Sequence, residues 1–228
     1  MKLGFIGTGN ISSDVVTGIC NSKISFKKIT LSPRNKKKSN SLKKKFKKIY
    51  IAKTNQEVID KSDWIFIGVL PKVGEKILPR LKFKSNQTVV SFISTINYLK
   101  LKKILKKKTN VVRAIPMPPI ALGKGPVAIF PPHRRVKYFF DKIGDTIEIK
   151  SEKLSQNFWA TSGTMASFYE IIKILSDWLV KKGLTRLQAQ KYITSLYSAL
   201  AELAKVNSKK DLKHFVAESQ TPGGLNWQ

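Results

Sequence analysis

Cysteine and histidine are nearly absent from this chain of 228 residues. Cys20 is the only cysteine, which excludes an intrachain disulfide and predicts a reducing compartment, the cytoplasm. The two histidines, His133 and His214, lie in unrelated basic segments, so the sequence offers no metal site. No apolar run approaches the roughly 20 residues of a membrane-spanning helix, and the chain starts with a predicted strand rather than a signal peptide. We therefore predict no membrane partner.

Acidic residues are also scarce: 14 Asp and Glu stand against 43 Lys and Arg, which gives a formal net charge of +29. Lysine supplies almost all of the excess, and the lysines fall on predicted helix faces. The arginines and aromatic residues that read nucleic-acid bases are not interleaved with them. We therefore predict no specific nucleic-acid partner, although the positive field should attract small anionic ligands.

Short apolar segments alternate with helical segments over the first two thirds of the chain. The predicted strands are Leu3–Ile6, Lys28–Ser32, Ile49–Ala52, Trp64–Leu70, Thr88–Ile93, Asn110–Ile115, Pro126–Phe130 and Thr146–Ile149. The predicted helices between them are Asn10–Asn21, Lys36–Phe46, Asn55–Lys61, Val73–Leu81, Tyr98–Lys107 and Arg134–Ile143. Several strands are apolar on both faces, as in a buried parallel sheet. The alternation predicts an α/β fold with a doubly wound Rossmann domain over residues 1–151.

The pattern changes near Ser151, where the strand signals stop. Helical spacing then covers Leu154–Ala160, Met165–Lys182, Arg186–Val206 and Leu212–Glu218. This predicts a small all-helical domain over residues 152–228. It carries more aromatic surface than one short bundle usually hides, which favours dimerisation, or a higher homo-oligomer, through these helices over packing on the first domain.

The first thirteen residues carry the most specific pattern. A predicted strand leads into Gly7-x-Gly9-x-x-Ser12 and then into a helix that starts at Asn10. Gly7 permits a tight turn, and Gly9 has no Cβ, so a pyrophosphate can approach the backbone. The first amides of the helix, near Asn10 and Ile11, then point at that anion. The pattern predicts a dinucleotide site; the alternative interpretation is a tight turn without a ligand.

The end of the second predicted strand indicates which dinucleotide is bound. Enzymes that use NAD usually place an acid there for the ribose 2′-hydroxyl. Between Gly9 and Glu57, the only acid is Asp14, which falls on the first predicted helix. Ser32 and Arg34 can instead donate to a 2′-phosphate. We therefore predict NADPH rather than NADH as the cofactor; the alternative is a solvated basic turn.

Several further segments follow the motifs of one family in order. They are Asn55 after the third strand, Gly68-Val-Leu-Pro71, Val111-Val-Arg-Ala-Ile-Pro116, Ser162-Gly163 followed by Ala166 and Phe168, and Thr221-Pro-Gly-Gly224. With the glycine turn and Ser32-Pro-Arg34, they make the chain resemble the Δ1-pyrroline-5-carboxylate reductases. The resemblance implies NADPH-dependent reduction of Δ1-pyrroline-5-carboxylate to L-proline, or of a related cyclic imino acid. It also implies cofactor contacts by Asn55, Val69, Pro71, Ala114 and Pro116.

The substrate side departs from the family pattern. Met117-Pro118-Pro119 stands where the family has Asn-Thr-Pro after its Met-Pro-like pair, and Leu225-Asn226 stands where it has a hydroxyl residue. The resemblance implies substrate contacts by Met117, Ser162, Thr164, Gly223, Gly224 and Leu225. It leaves three polar candidates for catalysis: Ser162, Thr221 and Asn226. The family continues for a few tens of residues past this turn, whereas this sequence stops at Gln228 and leaves open whether Gln228 is the native C-terminus.

Two other functions stay open. A β-hydroxyacid dehydrogenase would need a catalytic lysine with an Asn partner on the long helix, and Lys173 lacks that partner in the sequence. A non-catalytic NADPH-binding protein is compatible with the changes on the substrate side. Several cyclic imines fit the pattern equally well.

Overall fold

The computed structural model describes residues 1–106 and 110–227. The predicted helix end at Lys107 and the terminal Gln228 lie outside the described residues. The chain forms two compact units, Met1–Trp159 and Ala160–Gln228.

An eight-stranded sheet forms the centre of the first unit. Its strands are β1 (Lys2–Ile6), β2 (Lys28–Leu31), β3 (Ile49–Ile51), β4 (Trp64–Ile67), β5 (Thr88–Ser91), β6 (Asn110–Pro116), β7 (Pro126–Phe130) and β8 (Asp145–Glu148). They lie in the order β3-β2-β1-β4-β5-β6-β7-β8. The strand order reverses between β1 and β4, which confirms the predicted doubly wound Rossmann fold and places a ligand crevice at the carboxyl ends of these two strands.

Six helices connect these strands. They are α1 (Asn10–Asn21), α2 (Lys36–Lys45), α3 (Asn55–Asp60), α4 (Pro71–Ile77), α5 (Tyr98–Ile104) and α6 (Arg134–Phe140), with short 3₁₀ helices at Leu78–Arg80 and Pro118–Leu122. Strand β4 ends three residues before the predicted Leu70, because Pro71 occupies the first turn of α4 and starts that helix earlier than expected.

The two faces of the sheet carry separate apolar cores. On β1, the side chain of Phe5 belongs to one core and that of Ile6 to the other, and both are fully buried. Phe5 stacks on Phe66 of β4 with ring centroids 4.6 Å apart. Full burial of such a side chain contributes about 1.5–3 kcal/mol. The sheet therefore holds the carboxyl ends of β1 and β4 as a rigid platform.

Strand β7 runs antiparallel to β6, in a sheet whose other strand pairs are parallel, as the strands that are apolar on both faces indicated. The short segment between them contains the 3₁₀ helix and two glycines in the left-handed region, Gly123 (φ +70°) and Gly125 (φ +97°). A parallel connection needs a crossover of about a dozen residues or more. This segment is too short for one, so the chain turns back instead.

The second unit is helical, as predicted. Helix α7 (Glu152–Ser162) runs across the division between the units, and α8 (Met165–Lys181), α9 (Arg186–Val206) and α10 (Leu212–Glu218) follow. Gly183 (φ +104°) ends α8, and Thr185 starts α9 with a capping box. The ring of Phe168 on α8 packs edge-on against Tyr197 on α9, with centroids 6.0 Å apart.

The described residues lack both a membrane-spanning helix and a metal-binding cluster. None of the helices within residues 1–106 and 110–227 combines the length and apolar character needed to cross a membrane. The same residues contain no group of three or more His, Cys, Asp or Glu side chains placed to hold a metal ion.

Candidate nucleotide-binding site

The turn between β1 and α1 packs directly on the end of β4. Gly7 adopts φ +92°, a conformation that favours glycine, and a Cβ on it would lie 2.5 Å from the carbonyl oxygen of Gly68. A Cβ on Gly68 would in turn overlap the hydroxyl of Ser12 on α1. Ser12 is fully buried and stands at the third position of the motif, where close packing of helix and strand is needed. Glycine is therefore required at both Gly7 and Gly68.

Gly9 has the opposite environment. It is the N-cap of α1, with no side-chain cap, and among the described residues only Gly68 O, at 3.8 Å, comes within 4 Å of a Cβ built on it. The space over Gly9 is thus open to an approaching group. The first N–H groups of a helix have no partner within the helix, and the helix dipole adds positive charge there. This arrangement fits the phosphates of a dinucleotide, with Asn10 and Ile11 supplying amides of the first turn.

Ser32 and Asn35, which follow the end of β2, hold the glycine turn between β1 and α1 by hydrogen bonds. The amide of Gly7 donates to Ser32 Oγ at 2.9 Å, and the Asn35 side chain donates to the carbonyl of Thr8 at 3.0 Å. Ser32 is only 1% exposed. In this structure its hydroxyl therefore supports the glycine turn, and the contact with a 2′-phosphate stays a prediction. Asn35 was missed; its signal in the sequence was its N-cap position before a lysine-rich helix.

A cleft of about 430 Å³ lies over this turn. We call it the nucleotide cleft, and its lining residues are Gly7, Thr8, Gly9, Arg34, Asn35, Lys36, Gly68, Val69, Leu70 and Val73. Arg34 and Lys36 are exposed cations, and the described lining includes no carboxylate. Beside the cleft, Lys38 donates to the Asn10 side chain. The cleft is thus suited to an anion, with its positive charge where the adenosine end of a dinucleotide would lie.

The structure brings together only part of the predicted cofactor set. Gly7, Gly9, Arg34 and Val69 line the nucleotide cleft. The remaining predicted residues sit elsewhere in the first unit: Asn10 and Ile11 begin α1, Asn55 begins α3, Pro71 begins α4, and Ala114 and Pro116 are buried in β6. Leu70 was missed as a lining residue of the nucleotide cleft. Its side chain has no polar group that would indicate a binding role, and it lines the cleft because it follows the end of β4.

The Met117-Pro118-Pro119 segment is held against α1. Met117 precedes the 3₁₀ helix and is half-buried, whereas Ile120 within that helix is fully buried. A Cβ on Gly18 of α1 would overlap the carbonyl oxygen of Ile120. The same helix that presents its amides to the nucleotide cleft therefore also fixes the path of this segment.

The other predicted substrate and catalytic residues belong to the second unit. Ser162 ends α7, and Thr164, just before α8, donates its hydroxyl to the carbonyl of Thr161 at 2.7 Å. Thr221-Pro-Gly-Gly224 forms a turn after α10, in which Gly223 adopts φ +74° and the Gly224 amide donates to Thr221 O at 2.8 Å. Leu225 and Asn226 follow the turn and are exposed. The amide of Gly224 is thus used within the turn itself.

An ion pair next to β5, between a buried arginine and a partly exposed glutamate, was missed by sequence reasoning. Arg113 of β6 is buried, pairs with Glu152 of α7 and donates to the carbonyl of Ser94 at 2.6 Å. Glu152 also accepts the amide of Tyr98, at the start of α5, at 2.6 Å. These contacts fix the segment between β5 and α5. Arg113 was visible in its sequence motif, but its partner Glu152 lies 39 residues further along the chain, so local spacing does not connect the two.

Comparison with known proteins places these features in context. The family described as NADP oxidoreductase coenzyme F420-dependent matches residues 2–98. Pyrroline-5-carboxylate reductase 3 of Danio rerio is 26% identical, over 98% of this chain and 80% of that protein.

Two solved structures share the fold. The pyrroline carboxylate reductase of Plasmodium falciparum, with NADP bound, superposes with a TM-score of 0.84 at 24% identity, covering 99% of this chain and 86% of that one. The 1-pyrroline-5-carboxylate reductase of Streptococcus pyogenes gives a TM-score of 0.83 at 24% identity, covering 99% and 87%.

Removal of the Glu152 carboxylate should destabilise the first unit. In Glu152→Ala, the buried Arg113 loses its charge partner and the Tyr98 amide loses its acceptor. We therefore expect the free energy of unfolding to fall by about 3 kcal/mol. Denaturant unfolding measures this. Glu75→Ala is the control, because Glu75 pairs with Lys100 on the surface, where such pairs contribute about 0–1 kcal/mol. Equal losses in the two variants would contradict the assigned role.

Proposed function

We propose that the chain is a divergent member of the pyrroline-5-carboxylate reductase family and acts as an NADPH-dependent reductase of a cyclic imine. The substrate we propose is Δ1-pyrroline-5-carboxylate, reduced to L-proline, or a related cyclic imino acid. The observation that carries the proposal is the open space over Gly9 at the N-terminus of α1, in a cleft rimmed by cations. Anionic dinucleotides fit such a site.

The residues around the nucleotide cleft would hold the cofactor. When bound, NADPH would supply a hydride to the carbon of a protonated imine, whose nitrogen already carries the proton, so that the products are a secondary amine and NADP⁺. Gly9 admits the pyrophosphate to the amides of α1. Arg34 offers the 2′-phosphate a forked pair of donors, and Lys36 adds a second positive charge. These two cations, without a carboxylate in the described lining, favour NADPH over NADH.

The protein has little chemistry to supply at the imine itself. A protonated imine is already electrophilic, so positioning, a proton donor and a binding group for the substrate carboxylate are sufficient. We assign the carboxylate to the turn at Gly223 and to the hydroxyls of Ser162 and Thr164, the latter after it exchanges its hydrogen bond to the carbonyl of Thr161 for one to the substrate. Asn226 is the donor we place where the family has a hydroxyl residue. Met117 would line the nicotinamide side with apolar surface, which suits a substrate less polar than pyrroline-5-carboxylate or one bound in another orientation.

The environment of Lys173 argues against the dehydrogenase alternative. Its ammonium lies on the exposed side of α8, 3.1 Å from Asp177 and 3.7 Å from Glu170. The hydrogen bond that Lys173 donates to Asp177, together with the charges of Asp177 and Glu170, raises the pKa of Lys173. A lysine held protonated by two carboxylates in solvent is a poor proton acceptor at neutral pH.

We also propose that the second unit joins two copies of the chain. Ile171, Ile174 and Trp178 form a stripe along α8, each roughly half exposed. Leu200 and Leu203 extend a similar stripe along α9. Residues at such spacing share one helix face, and exposed apolar faces of this kind are typical of association surfaces. The same helices of a second copy would cover them.

Turnover is the direct test of the proposed reaction. Purified protein should oxidise NADPH with Δ1-pyrroline-5-carboxylate, pyrroline-2-carboxylate or a piperideine carboxylate, and more slowly with NADH. Arg34→Gln should raise the KM for NADPH about tenfold, through loss of a charged donor, and leave the KM for NADH unchanged. Arg80→Gln is the matched control, since Arg80 is exposed and does not line the cleft.

Each outcome of this assay decides between functions. Tight NADPH binding without turnover of any imine would favour the non-catalytic NADPH-binding protein. A lower KM for NADH than for NADPH would overturn the cofactor assignment.

Light scattering tests the assembly. We expect a mass of at least two chains of 25.7 kDa each. Ile174→Glu combined with Leu200→Glu should shift the protein to a single chain, because a charge in an apolar interface is costly. Leu187→Glu is the control, since Leu187 is exposed on the opposite side of α9 and should leave the mass unchanged. A single-chain mass for the unmodified protein would refute the assembly.

A further inference from the structure

A second cavity, of about 700 Å³, lies at the edge of the sheet opposite the nucleotide cleft. It is bounded by the loop after α1, the first residue of β4 and the outer side of α6. We call it the Trp64 pocket, and the lining residues used below are Ile24, Trp64, Arg135, Tyr138, Phe139 and Lys142. Neither the proposed reaction nor the proposed assembly uses these residues.

The inner wall of the Trp64 pocket is apolar and rigid. Ile24, Trp64 and Phe139 are each less than 10% exposed. The rings of Trp64 and Phe139 lie 5.2 Å apart between centroids, tilted by 34°. Pockets that bury small organic molecules have volumes of about 300–1,000 Å³ and walls of this kind. A flat apolar group can therefore be accommodated against the indole ring.

The rim of the pocket is cationic. Arg134, Arg135 and Lys142 are exposed, and none of them forms an ion pair with a carboxylate of the described residues. The guanidinium carbon of Arg135 lies 5.7 Å from the centre of the Trp64 ring, and Lys142 Nζ lies 4.5 Å from that of Tyr138. Asp141, just after α6, also lines the pocket, and its carboxylate accepts a hydrogen bond at 2.6 Å from Lys137, another lining residue.

From this combination we infer that the Trp64 pocket binds a small amphipathic carboxylate, with an aromatic or similarly flat apolar body. The body lies against Trp64 and Phe139, and the carboxylate meets the guanidinium of Arg135, whose planar fork matches two carboxylate oxygens. An uncharged ligand would leave the rim cations unused, and a polyanion such as nucleic acid would leave the apolar wall unused.

The pocket should fill independently of the nucleotide cleft. Trp64 begins β4, whereas Gly68, in the nucleotide cleft, follows the other end of that strand. The two sites therefore face opposite edges of one sheet and share no lining residue. A ligand of the Trp64 pocket binds without displacing NADPH.

The test uses 2-naphthoate as the probe and its uncharged analogue 2-naphthamide, measured by calorimetry on the full chain. We expect one saturable site per chain for 2-naphthoate and at least about tenfold weaker binding of 2-naphthamide, because a charged hydrogen bond is lost. Arg135→Gln should weaken the binding of 2-naphthoate about tenfold. Arg80→Gln should leave the affinity unchanged, because Arg80 is exposed and lies outside the pocket. Saturating NADPH should leave the affinity unchanged.

Fluorescence locates the site. Binding should quench tryptophan emission, and Trp64→Phe should remove most of that quenching while calorimetry still detects the ligand. The inference is overturned by equal binding of the two probes, by equal effects of the two arginine substitutions, by displacement with NADPH, or by the absence of saturable binding at millimolar concentration.

Discussion

The close approach of Gly7 to Gly68 is the contact on which the rest of the first unit's site depends. It brings the turn after β1 against the end of β4, so that no side chain fits between them. The hydrogen bond from the Gly7 amide to Ser32 fixes the same turn from the other side. With the turn held at two points, α1 starts at the carboxyl edge of the sheet and its first amides face the nucleotide cleft. Gly9 keeps that space open.

The position of α1 has consequences beyond the glycine turn. Gly18, two turns further along, lets the backbone at Ile120 pack directly on the helix, which sets the course of the Met117-Pro118-Pro119 segment. Arg113 and Glu152 fix the neighbouring segment between β5 and α5. Segments on both sides of the carboxyl edge are thus tied to rigid elements, as a site that must align two reacting molecules requires.

Local chemistry was sufficient to predict most of the fold. The alternation of strands and helices and the turn at Gly7 and Gly9 depend on residues close together in the chain, so they could be read directly. The antiparallel direction of β7 depends on the shortness of the segment between β6 and β7. The pattern of apolar strands alone does not give the direction of a strand. The burial of Ser32 and the pairing of Arg113 with Glu152 depend on contacts between distant segments. Such contacts follow from the packing of the sheet. The sequence therefore contains these residues but does not indicate which of them are in contact.

Charge alone does not mark an anion-binding site in this chain. With a formal net charge of +29, cations occupy most exposed positions, so their presence alone says little. What distinguishes the nucleotide cleft is that its cations adjoin an open helix N-terminus. What distinguishes the Trp64 pocket is that its cations adjoin a buried aromatic wall. In each case geometry, rather than charge, selects the ligand class.

In the proposed function, the first amides of α1, behind Gly9, receive the phosphates of the dinucleotide. Amide hydrogen exchange with and without saturating NADPH tests it most directly. We expect exchange at Gly9, Asn10 and Ile11 to slow at least about tenfold on binding, because these N–H groups gain acceptors. Gly9→Ala should abolish that protection without loss of stability, since its Cβ meets no close contact. NADPH binding that leaves exchange at these three amides unchanged would contradict the account.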